Sequence, residues 1–273
     1  MFITDLHIRT DSWLAMDTQL HDWRMYYTFG YAMSRFEPQV VIVLGDLFDT
    51  GYTSTDSQFD ELTRKFHRIF TYRFDWAFNG SSVQWLPING IDFVAINSIT
   101  MDGDDDNGCP LCPPMATRQQ LRTLAEQLCR RRQSVNNNNI TDNCHKHRQW
   151  RRRRPIVLTH YPLYRQNEAQ CGHDWDSIPD DQRYIPYRTK LDCLSRTASQ
   201  AIVDGLGPRL VVNGHTHYDC RLRHWSDTLA VEVDEWTVAS FNYRNLYTPT
   251  ILLATITADS YSIRKCLLVN ENK

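Results

Sequence analysis

The chain has 273 residues, 41% of them hydrophobic, with 30 lysines and arginines against 32 aspartates and glutamates. That is enough chain and apolar content for a packed core of one or two domains, which excludes disorder throughout. A net charge of −2 excludes a globally basic nucleic-acid binder, and no apolar run approaches the ~18 residues that cross a bilayer, so the expected body is soluble.

Asp5-Leu6-His7 comes first, in a segment read as extended, where alternation aims Asp5 and His7 to one side and Leu6 into the core. Leu20, Trp23, Tyr27 and Tyr31 then follow the spacing of an amphipathic helix. Gln39 to Leu44 reads as a buried strand and runs directly into Gly45-Asp46-Leu47-Phe48-Asp49. Phe59, Leu62, Phe66 and Ile69 mark a second helix, Ile91 to Ile96 another buried strand, and Leu121, Leu124 and Leu128 a third helix. Pro155 to Leu158 is a strand ending just before His160, and Leu191, Leu194, Ala198 and Ile202 predict a fourth helix. Arg209 to Val212 is a strand leading to Gly214-His215-Thr216-His217, and Leu229 to Leu268 reads as consecutive strands. Strands alternating with helices before a strand-rich end predict one α/β domain, 1–273, with a mixed sheet system.

Between Arg130 and Arg154 there are nine basic residues and one acidic residue, Asp142. Residues 129–154 are low in complexity and read as an exposed basic insertion loop. A nucleic-acid role would want interleaved aromatics and there is only Trp150, so no nucleic-acid partner is expected. The eight cysteines are an even set that permits a disulfide framework of undefined pairing. Cys109-Pro-Leu-Cys112 has the spacing of half a zinc site, with no second half to complete it. Two N-glycosylation sequons, at Asn79 and Asn139, tilt the expectation further toward an oxidising secretory compartment.

The chemistry concentrates in four short elements, each at the end of a predicted strand: Asp5-x-His7, Gly45-Asp46-x-x-Asp49, His160 and Gly214-His215-x-His217. Glycine lets the chain turn sharply after a strand, so Asp46 can emerge at the C-terminal edge of the sheet, where α/β folds place ligands. Oxygen and imidazole ligands without thiolate suit manganese, iron or zinc. Two aspartates and four histidines exceed the needs of one ion, so two metals are expected.

D-x-H, G-D-x-x-D, a histidine after a strand and G-H-x-H, in this order, resemble the signature of the calcineurin-like metallophosphoesterase superfamily. The runs Pro38 to Asp49, Gly108 to Cys112, His160 to Arg165, Asn213 to His217 and Ser240 to Asn245 are similar, more closely, to the metallophosphoesterase 1 family, which removes ethanolamine phosphate from the GPI-anchor glycan. The resemblance implies two mixed β-sheets sandwiched between helices. It implies one metal on Asp5, His7, Asp46 and His217 and a second on Asp46, His160 and His215, with Asp46 bridging and manganese as the expected ion. Asp46, Asp49 and His215 are the implied catalytic residues, with Asp49 orienting ligands beside the site. The implied substrates are GPI-anchored proteins, and the implied partners are cargo receptors of the early secretory pathway. The implied location is lumenal, at endoplasmic reticulum exit sites and Golgi, with membrane attachment through segments absent from this chain.

One departure stands out. The family's Gly-Asn-His-Asp block supplies an asparagine ligand to the second metal and a histidine that assists the leaving group, and it has no counterpart here. The sequence passes from Lys65–Phe70 almost directly to Arg73–Phe78, so a strand-loop-helix piece is expected to be missing near 70–72. The alternative to an active phosphodiesterase is a catalytically inactive homologue, or an incomplete isoform, that binds a glycan or a cargo receptor.

Overall fold

A computed structural model describes residues 1–10, 15–71, 81–102, 114–134, 153–246 and 249–268. The cysteine pair Cys109 and Cys112, the sequon asparagines Asn79 and Asn139, and residues 135–152 of the basic segment lie outside the described residues.

Two sheets pack face to face with helices on both outer faces. The smaller contains β1 (Phe2–Ile3), β2 (Ile42–Val43), β9 (Thr250–Ile256) and β10 (Tyr261–Leu267), in the order β10-β9-β1-β2. The larger contains β3 (Val83–Ile88), β4 (Ile91–Ile96), β5 (Ile156–Leu158), β6 (Leu210–Asn213), β7 (Cys220–Ser226) and β8 (Val231–Thr237), in the order β3-β4-β5-β6-β8-β7. Parallel pairing of β4, β5, β6 and β8 and of β1 with β2, beside antiparallel edges, makes both sheets mixed, as expected.

Phe2, Phe93, Ala95, Ile156, Leu158, Leu210, Val212, Val238 and Leu252 fill the space between the sheets. Helices α4 (Pro114–Ser134) and α5 (Arg196–Leu206) cover the larger sheet, burying Leu121, Leu124, Leu128, Ala198 and Ile202 against Val94, Val157 and Val211. Helices α1 (Ala15–Phe36) and α2 (Asp56–Ile69) cover the smaller sheet. Each fully buried Leu, Ile, Val or Phe contributes roughly 1.5–3 kcal/mol, and both helix-to-sheet layers are built from them.

Several expectations are corrected by this packing. Helix α1 forms, but Leu20, Trp23, Tyr27 and Tyr31 stand 44–56% exposed, and the buried line is Met25, Phe29 and Ala32. Both faces of this helix are apolar; the buried line is the one whose small Ala32 and Met25 admit close packing near α2, with Phe29 against Phe70 at 4.9 Å between ring centroids. In α2, Leu62, Phe66 and Ile69 are buried as predicted, and Phe59 lies at the rim. The fourth helix starts at Arg196, after Leu191 and Leu194, because the Ser195 hydroxyl caps it by accepting from the Ala198 amide at 3.2 Å.

The Gln39–Leu44 run shortens to β2 and is half-buried, because among the described residues its sheet ends there. The basic insertion is in part helix: Arg130 to Arg132 belong to α4. Strand β3, absent from the sequence reading, is the first arm of a hairpin whose two-residue turn, Asn89-Gly90, takes positive φ at both positions.

A small α3 (Ser98–Asp102) follows β4, and its Ser98 hydroxyl accepts from the amides of His160 and Tyr161 at 2.9 Å each. The Cys171–Cys220 disulfide fastens the excursion between β5 and α5 to the start of β7, across 49 residues of sequence. Closing a loop of that length restrains the unfolded chain by about 4 kcal/mol in the chain-entropy account. Replacing both cysteines by alanine is therefore expected to cost about 2–4 kcal/mol, measured by urea unfolding without reductant. An unchanged midpoint would show that the bridge carries no stability.

The Lys265 ammonium ties the same excursion to the small sheet through Asp174 at 2.7 Å and Asp176 at 2.7 Å, and adds the residue before β7 through Asp219 at 2.8 Å. Burial pushes the Asp219 carboxyl up to about 6, with Asp176 and Asp174 adding to the rise and Lys265 opposing it. Its Oδ1 is buried without a hydrogen-bond partner. Because the folded value lies above the usual 3.8 of an aspartate, folding takes up a proton here. The contribution to stability is complete below about pH 4 and lost above about pH 6, a swing of up to about 3 kcal/mol. Asp219→Asn is expected to gain stability relative to the parent chain as pH rises across that window. Urea melts in chelator read this, and a constant difference would refute it.

Candidate metal centre

The carboxyl ends of β1, β2, β5 and β6 come together at one edge of the sandwich. After Ile3 the chain leaves the strand, and parallel pairing with the Gly45-Asp46 turn continues through the Asp5 amide to the Gly45 carbonyl at 3.2 Å and the His7 amide to the Asp46 carbonyl at 2.9 Å. Asp5, His7, Asp46, His215 and His217 all take positive φ, between 44° and 77°. Strand alternation therefore does not aim Asp5 and His7 together, as the sequence suggested; two left-handed residues around fully buried Leu6 do so. Such conformations cost of order 1–3 kcal/mol each and persist where surrounding structure enforces them. Here the Ser240 hydroxyl donates to the Asp5 carbonyl at 2.9 Å and the Asn242 side-chain amide to the Leu6 carbonyl at 2.6 Å, both buried. Neither residue was assigned a role from sequence; only their place in the Ser240–Asn245 resemblance marked them.

All six predicted ligands converge, in two groups. Asp5, His7 and His217 bring ligand atoms within 4.8 Å of one another, as do Asp46, His160 and His215. Asp46 faces both groups, with Oδ1 at 3.2 Å from His160 Nε2 and Oδ2 at 3.8 Å from His7 Nε2. Asp5 Oδ2 accepts from the His215 amide at 3.0 Å, leaving buried Oδ1 without a hydrogen-bond partner at 3.8–3.9 Å from His7, His160 and His217. Asp49 lies beside the first group, with Oδ1 at 3.5 Å from His7 Nδ1 and Oδ2 accepting from Arg9 Nε at 2.7 Å.

Outer partners decide which imidazole nitrogens face inward. His215 Nε2 donates to the Leu191 carbonyl at 2.7 Å, which leaves Nδ1 as a lone pair 3.2 Å from His160 Nε2. His7 Nδ1 faces Asp49, which leaves Nε2 facing His217 Nε2 at 3.0 Å. Burial lowers the pKa of His215, reinforced by His160, and burial likewise lowers that of His217, so both rings favour the neutral, ligating form. Burial pushes Asp46 upward, but the hydrogen bond and charge of His160, with His7 and His215, outweigh it and hold the carboxyl down at about 2.

Ring nitrogens of four histidines and two carboxylates, one of which, Asp5, has a buried oxygen without a hydrogen-bond partner, converge in these two groups. That donor set fits divalent metal ions of the manganese, iron or zinc kind. The Leu191 carbonyl was missed from sequence because a backbone acceptor carries no residue signature.

No family model matches the chain. Curated relatives do: the metallophosphoesterase 1 of Gallus gallus is 30% identical over 303 residues, covering all of this chain and 72% of the relative. That of Mus musculus is 31% identical over the same length, with the same coverage, and that of Danio rerio is 30% identical over 301 residues, covering 99% of this chain and 75% of the relative. The alignments are longer than the 273-residue chain, so these relatives carry residues with no counterpart here. With this likeness along the whole chain, a double-sheet fold and a convergent metal-ligating edge, the chain belongs to the metallophosphoesterase 1 family.

Proposed function

We propose that this chain is a two-metal phosphodiesterase that removes ethanolamine phosphate from the GPI-anchor glycan, working in the lumen of the early secretory pathway with manganese. The observation that carries the two-metal part is Asp46, whose two carboxylate oxygens face different ligand groups. Asp5, His7, Asp46 and His217 would hold one ion, and Asp46, His160 and His215 the other. The ions, when bound, supply Lewis acidity and charge neutralisation for attack on phosphorus. The chain's own residues do the rest. Asp49, braced by Arg9, fixes the His7 ring; the Leu191 carbonyl fixes the His215 tautomer; and the Tyr161 ring, 4.2 Å from the His215 ring, walls one side. The substrate, partners and location follow the likeness to the metallophosphoesterase 1 family.

The test is metal per chain by mass spectrometry, with hydrolysis of bis(p-nitrophenyl) phosphate in manganese. Two ions and metal-dependent turnover are expected. One ion or fewer with no turnover would favour the second reading, a silent homologue that binds glycan or cargo receptor. The observation in favour of that reading is the three-residue second group with no Gly-Asn-His-Asp counterpart in the sequence.

A further inference from the structure

Glu235 is fully buried in β8, on the face of the larger sheet that α5 covers, and no step of the proposed reaction uses it. The same face carries Val233 on β8, Val211 on β6 and Val157 on β5, all fully buried. A carboxylate among valines is costly unless its charge is paired and its oxygens are hydrogen-bonded. Packing alone would favour another apolar side chain there.

Three donors satisfy it. Oε1 accepts from the Leu163 amide at 2.7 Å and from Asn213 Nδ2 at 2.8 Å, and Oε2 accepts from His224 Nε2 at 2.7 Å. Burial pushes the carboxyl up, but the hydrogen bond and charge of His224, the charge of Arg165 and the Leu163 amide outweigh it and keep the group ionised. Leu163 follows the ligand His160 by three residues, and Asn213 precedes the ligand His215 by two. One oxygen therefore grips both turns that bear imidazoles of the second ligand group. These turns also meet directly, through the Gly214 amide and the His160 carbonyl at 3.0 Å. The first group has a different brace: Ser240 and Asn242 hold Asp5 and Leu6, and the Ser240 amide donates to the His217 carbonyl at 3.0 Å.

We propose that Glu235 is a positioning residue for the second metal: it sets the spacing of His160 and His215, while His224 holds its other oxygen. This rests on the two-metal reading of the site. Beside those two imidazoles the second group has only Asp46, so misalignment of the rings is felt there first. Hydrogen-bond partners lying behind metal ligands typically change metal affinity by about 10- to 100-fold.

The experiment is manganese titration of the full, chelator-treated chain by calorimetry, with His160→Ala identifying the binding step that belongs to the second group. Glu235→Gln keeps the shape and one accepting oxygen but removes the charge. It should raise Kd for the second ion about threefold or more and leave that for the first within about twofold. Glu235→Ala strips the acceptor from both turns and should raise the second Kd at least about tenfold; where it does not fold, Glu235→Gln carries the test. A second readout needs no metal: in ring-nitrogen NMR spectra of the chelator-treated chain, Glu235→Gln should move the His160 and His215 signals and leave those of His7 in place. Equal weakening of both ions would show a general loss of stability. Unchanged Kd values with unmoved ring signals would show that Glu235 only fills the sheet face. Either result overturns the proposal. A parent chain that binds one ion sinks the two-metal reading, and the ring signals then decide alone: their movement sustains Glu235 as the brace of the two histidines, and their constancy overturns it.

Discussion

Asp46→Asn is expected to lower kcat/KM for a phosphodiester on the order of 10³-fold or more, and to reduce bound metal from two ions toward one. Asp46 is the residue through which the two ligand groups meet: Oδ1 stands 3.2 Å from His160 Nε2 and Oδ2 3.8 Å from His7 Nε2. Asparagine keeps the shape, removes a negative charge, and turns one of those oxygens into a donor aimed where a cation would sit. Stabilisation of transition-state charge by metals is worth several kcal/mol, and each 1.36 kcal/mol is tenfold in rate. Metal content, by mass spectrometry after gel filtration, gives a readout even where turnover is slow. An Asp46→Asn variant that keeps two ions and parent-like hydrolysis would remove Asp46 from the bridge.

Much of this site was legible in the sequence because its side chains are polar residues set directly after apolar strands. β4, β5 and β6 were read almost to the residue, and His160 and His215 follow the last two as expected. What the pattern could not supply was how the turns aim the ligands. Asp5 and His7 converge through left-handed backbone held by Ser240 and Asn242, more than 230 residues away, a dependence no local periodicity encodes.

Helix α1 failed differently. Its two faces are both apolar, and the choice between them is made by α2 and the sheet, so burial went to Met25, Phe29 and Ala32 and left Trp23 and Tyr27 outside. The Asn89-Gly90 turn was readable and unread, since Pro87 and Gln84 blur the alternation of β3. The half-burial of Val41 to Leu44 is what an apolar strand shows when, among the described residues, its sheet ends beside it. Natural sheets usually cover such an edge.

Gly45→Ala is expected to disable the same site without touching a ligand. Gly45 has φ +151°, a conformation that side-chain-bearing residues rarely adopt, and a Cβ built there would lie 2.4 Å from His160 Nδ1 and 2.6 Å from its Cγ. Neither the ring nor the backbone can yield cheaply. The His160 amide is held by Ser98 at 2.9 Å, its carbonyl accepts from the Gly214 amide at 3.0 Å, and the Gly45 carbonyl accepts from the Asp5 amide at 3.2 Å. Backbone strain of about 1–3 kcal/mol and overpacking of about 1–3 kcal/mol combine to roughly 2–6 kcal/mol. The cheapest relief is for His160 to swing off Asp46, which separates the members of the second ligand group first. Metal titration of Gly45→Ala should therefore show the Asp5, His7 and His217 group still loaded and the other empty, with hydrolysis reduced on the order of 10²-fold or more. Retention of both ions with parent-like stability in urea would mean that the turn and the ring are not packed as described. Loss of both ions together, with a folded protein by circular dichroism, would show that the two groups fill only as a unit.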